Sequence, residues 1–91
     1  MMVKPEIKFD FDDVDQDILL FCAFRYALGR RSYVVGTIVD IIIANWEHMP
    51  TSRREMFQRD IREAIETDRC GSKYDIERWE RILRLTTDDT I

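Results

Sequence analysis

DQDILLFCAFRYALGRRSYVVGTIVDIIIANWEHMP, Asp15 to Pro50, decides the fold of this chain. Two strongly apolar runs flank a short polar turn that holds one glycine, and each run has the length of a globular helix rather than of a strand. Asp15 is placed to cap a helix to about Leu28, with Gly29 where a left-handed residue would end it. Ser32 is placed to cap a second, from Tyr33 to about Glu47, which His48-Met49-Pro50 closes. The stretch therefore reads as a helical hairpin.

Working outward, the same punctuation marks two more helices. Thr51 or Ser52 opens a third, with Ser52 and Glu55 at capping-box spacing, which runs to about Arg69 before Cys70-Gly71. Asp75 caps a fourth, from Ile76 to about Leu85. The expected fold is all-α: a compact bundle of about four helices (15–28, 33–47, 52–69 and 75–85). An acidic extended arm over 1–14 precedes it and a frayed tail over 86–91 follows.

The helices differ in their apolar coverage. Ile18, Leu19, Leu20, Phe21, Cys22, Ala23, Phe24, Ala27 and Leu28 surround the first almost completely, which predicts a central helix buried on most sides. In the second, Tyr33, Gly36, Thr37, Asp40, Ala44 and Glu47 form a narrow small-and-polar stripe that would admit a close neighbour. The third turns Phe57, Ile61, Ala64 and Ile65 inward. Its outer pairs Glu55/Arg59, Arg59/Glu63 and Arg62/Glu66 read as a solvated face, worth a few tenths of a kcal/mol each. The fourth turns Ile76, Trp79 and Leu83 inward.

Ninety-one residues make one domain, and 45% hydrophobic residues suffice for one core. Glu6, Asp10, Asp12, Asp13, Asp15 and Asp17 against Lys4 and Lys8 account for the whole net charge of -4. That excess argues against direct nucleic-acid binding, which draws its affinity from cationic charge. Acids follow the opening residues where a signal peptide would place an apolar core, and neither apolar run is long enough to span a bilayer. A cytoplasmic protein with Cys22 and Cys70 as free thiols is expected, Cys22 lying in the core. Glu6 to Asp12 alternates, with Ile7, Phe9 and Phe11 on one side. It reads as an extended segment whose aromatics plug the bundle, or as an edge strand for another chain.

Enzyme chemistry has little to draw on. His48 is the only histidine and sits at a helix end. No cysteine or histidine spacing suits zinc, and Gly29 and Gly36 belong to no phosphate-cradling loop. Asp10, Asp12, Asp13, Asp15 and Asp17 lack the glycine and terminal glutamate of a calcium loop, and read as a solvated, helix-initiating run. No catalytic residue, metal or cofactor is expected. A helix-turn-helix reading of the hairpin fails because Val34 to Trp46 is too apolar to face base edges.

Arg25 and Asp40 are the charges inside the two apolar helices, about one turn from level in an antiparallel hairpin. They are expected to form a structural buried pair. Arg30, Arg31 and Tyr33 stand in the turn, and an up-and-down bundle would gather them with Arg69, Lys73 and Tyr74. Arginine and tyrosine favour protein-protein hot spots, so this is a candidate partner-binding patch. The arginines would equally serve to cap the carbonyls at the end of the first helix.

RYALGRRSYVVGTIVDIIIANW, followed by QRDIREAIE at 58–66, resembles small proteins encoded by bacteriophages and prophages, over roughly Phe21 to Glu66. The match centres on YALGRRSYVVGTIVD. The resemblance implies a bacterial host cytoplasm and brings no catalytic residue. By analogy of class, small acidic phage proteins act by stoichiometric binding to a host protein, as anti-CRISPR inhibitors of host defence do. The expected partner is therefore a host protein or defence complex, met by Asp10, Asp12, Asp13 and Asp15 as a partial phosphate-backbone mimic and by Arg30, Arg31 and Tyr33. Two other readings compete with this one. One is a nucleic-acid-associated regulator using the arginines of the turn and third helix; the other is a homodimer through the apolar second helix.

Overall fold

The computed structural model describes residues 8–29, 33–69 and 73–86, with Tyr33 as backbone only. It is the expected four-helix bundle: α1 Val14–Ala27, α2 Tyr33–Ala44, α3 Thr51–Glu66 and α4 Lys73–Leu83, with no strand among the described residues. The chain packs into principal extents of 32 × 32 × 26 Å. No helix is long and apolar enough to cross a membrane.

The central helix is α2, and this corrects the sequence expectation for α1. Val35, Ile38, Val39, Ile41 and Ile42 are buried along α2, which packs on α1 at one side and α4 at the other. The apolar surface that suggested an α2 dimer is largely covered within one chain. The small stripe does admit a neighbour, since a Cβ on Gly36 would lie 3.6 Å from the Arg78 side chain of α4. An all-apolar helix has no pattern to say which side faces inward, so α1 gave no hint that one side would be left uncovered. Only Leu20, Phe24 and Ala27 of α1 itself are buried, and Cys22, expected in the core, is exposed.

Three aromatic rings hold the centre together. Phe24 of α1 meets Phe57 of α3 at 4.7 Å and Trp79 of α4 at 5.5 Å, both edge-to-face. Such pairs add about 0.5–1.5 kcal/mol each beyond their burial. Trp79 is fully buried with its indole N–H unpartnered, and its ring meets Phe24 nearly perpendicular.

The helix ends depart from the sequence reading in ways that follow from hydrogen-bond satisfaction. Asp13, not Asp15, caps α1 by accepting the Asp15 N–H. Gly29 takes no left-handed conformation, because Leu28 continues the helical geometry. No side chain caps α3, whose first-turn N–H groups at Arg53 and Arg54 reach the Pro50 carbonyl. That helix ends at Glu66, where Asp68 takes φ 57° and the N–H groups of Asp68 and Arg69 return to the carbonyls of Ile65 and Ala64. This is the Schellman closure, with aspartate in the glycine position. Asp75 lies inside α4, buried, with Arg78 at 3.0 Å.

Polar side chains fasten the ends of the chain to the bundle. Arg54, buried, donates to the carbonyls of Trp46 and Glu47, just past the point where α2 unwinds after Ala44. Gln58 donates to the carbonyls of Ile82 and Leu85, closing α4. Trp46 donates its indole N–H to the Thr86 carbonyl, so the start of the expected tail is pinned; residues 87–91 lie outside the described residues.

Arg25 and Asp40 do not pair with each other. Arg25 reaches Asp60 of α3 at 3.4 Å, and Asp40 meets Arg81 of α4 at 3.3 Å. All but Asp60 are about half exposed, so neither pair is a buried one. Asp60 of α3 and Arg81 of α4 take the places the two charges would have held for each other across the hairpin.

Candidate functional site

The acidic run sits on a fixed turn. Phe9 and Phe11 pack against the core, as expected of plugging aromatics, while Ile7 lies outside the described residues. Behind the run, Asn45 accepts the Phe9 N–H at 2.9 Å and the His48 ring nitrogen lies 3.1 Å from the Phe9 carbonyl. The Phe11 ring also tilts against that imidazole, at 5.6 Å. His48 therefore serves as a clasp for the chain before α1.

Within the turn, Asp10 accepts the Asp12 N–H through its side chain and the Asp13 N–H through its carbonyl. Gln16 accepts the Asp10 N–H at 2.8 Å and donates to Asp13 at 3.3 Å. Asp17 turns away, forming a bidentate pair with Arg53 of α3 beside the Phe21 ring. That leaves Asp10, Asp12, Asp13 and Asp15 exposed on one edge. Among the described residues no group of three or more His, Cys, Asp or Glu is placed to hold a metal ion.

Arg30 and Arg31 lie outside the described residues, as does the Tyr33 side chain, so the expected patch is seen only at its margin. There, Arg25, Leu28, Gly29, Ala64 and Arg69 line a cleft of about 150 Å³. The ends of α1 and α3 thus do meet, but the cleft is smaller than ordinary small-molecule sites. Tyr74, expected in the same patch, lies instead in an open groove of about 360 Å³ with Glu77, Arg78, Arg81 and Arg84. Two of those arginines already face Asp75 and Asp40.

No protein-family model, curated protein or solved structure matches this chain.

The feature that sequence reasoning missed is the outer face of α1. Val14, Ile18, Leu19 and Tyr26 are 67, 50, 61 and 57% exposed, and Cys22 between them is exposed too. Val14, Ile18, Cys22 and Tyr26 recur every four residues, the spacing of one helix face. That spacing was present in the sequence. It was hidden because Leu20, Phe24 and Ala27 give the opposite face an equally apolar pattern.

Proposed function

We propose that this chain is a non-enzymatic, phage-derived protein that acts by binding and inhibiting a bacterial host protein, most concretely a component of a defence complex. The observation that carries the reading is the acidic edge. Asp10, Asp12 and Asp13 are exposed on a turn that Asn45, His48 and Gln16 hold in place, and Asp15 is exposed in the first turn of α1 that follows it. Fixed carboxylates present negative charge without an ordering cost on association, which suits a basic nucleic-acid channel on the target. The resemblance to small phage proteins supplies the bacterial setting.

Infection assays against a panel of defence systems test it. Expression of the chain restores phage growth in at least one system, and Asp10→Asn, Asp12→Asn and Asp13→Asn together abolish the rescue. Asparagine keeps the capping bonds while removing the charge. Absence of rescue in every system, or rescue indifferent to the triple change, overturns the proposal. Of the third-helix arginines that the regulator reading would use, Arg53 is bound to Asp17 and Arg54 is buried against α2, while Arg59 and Arg62 are exposed. Gel shifts that strengthen as salt falls would favour that reading.

A further inference from the structure

We draw no further inference here: the strongest candidate, the apolar outer face of α1 formed by Val14, Ile18, Leu19, Cys22 and Tyr26, carries nothing, because Arg25 and Arg69 at its end already face Asp60 and Glu63 and nothing in the structure shows what covers it.

Discussion

Asn45 accepts the backbone N–H of Phe9 at 2.9 Å and donates to the carbonyl of Ile41 at 2.8 Å, joining the chain before α1 to the end of α2. Its side chain is fully buried, so removing it takes the acceptor from a part-buried Phe9 N–H and a donor from the Ile41 carbonyl. Asn45→Ala is expected to cost about 2 kcal/mol in urea unfolding. Amide exchange at Phe9 should rise by more than that at the centre of α2. Equal protection at Phe9 in both proteins would show that Asn45 does not hold this segment.

Arg54 offers a sharper case. It is a buried cation whose guanidinium answers the two carbonyls at Trp46 and Glu47, and it also lies 6.0 Å from the Trp46 ring. Arg54→Met keeps the apolar stem and loses both charge-assisted bonds, with an expected cost of about 3 kcal/mol. By contrast, Asp40→Ala removes an exposed pair, and Arg25→Ala removes a half-exposed arginine whose partner Asp60 keeps Arg59 at 3.6 Å, so each should shift stability by about 1 kcal/mol or less. Chemical denaturation of the three variants measures the ranking, and a large loss at Asp40 with little at Arg54 would contradict it.

Two backbone positions can be improved. Gly36 lies inside α2, and a methyl group there would make ordinary contact with a flexible arginine side chain. Gly36→Ala should therefore stabilise by about 0.5–1 kcal/mol, through the entropy glycine gives up on entering a helix.

Asp68 holds a left-handed conformation that costs an L-residue energy and glycine almost none. Asp68→Gly is expected to raise the melting temperature, by about 1 kcal/mol in stability. A lower melting point would mean that the Asp68 side chain holds the turn in a way its backbone geometry does not reveal.

The aromatic centre should resist least. Phe24→Ala removes a side chain in contact with both Phe57 and Trp79 and is expected to cost about 4 kcal/mol. Trp79→Phe deletes an indole N–H that has no hydrogen-bond partner, and should cost less than Phe24→Ala. Calorimetric unfolding of the two variants gives the comparison directly.

Legibility in the sequence followed the range of the interaction concerned. The four helices came from periodicity and from glycine, proline and acid punctuation, all of which act within a few residues. The solvated face of α3 and the neighbour at Gly36 came from the same local patterns. Helix ends shifted by a turn or less: Asp13 rather than Asp15 caps α1, and Asp68 closes α3 after Glu66 rather than at about Arg69.

Sequence alone therefore determined an acidic, all-helical bundle with an aromatic-rich core and an acidic edge before its first helix. Only the tertiary structure decided that α2 and not α1 is central, that Arg25 and Asp40 take partners on α3 and α4, and that α1 keeps an apolar face outward. The reason is physical. A helix apolar on all sides tells equally for every direction of burial, and a charged side chain pairs with the nearest opposite charge in space. Both choices are made when four helices pack together, and neither is written in the spacing of residues along one of them.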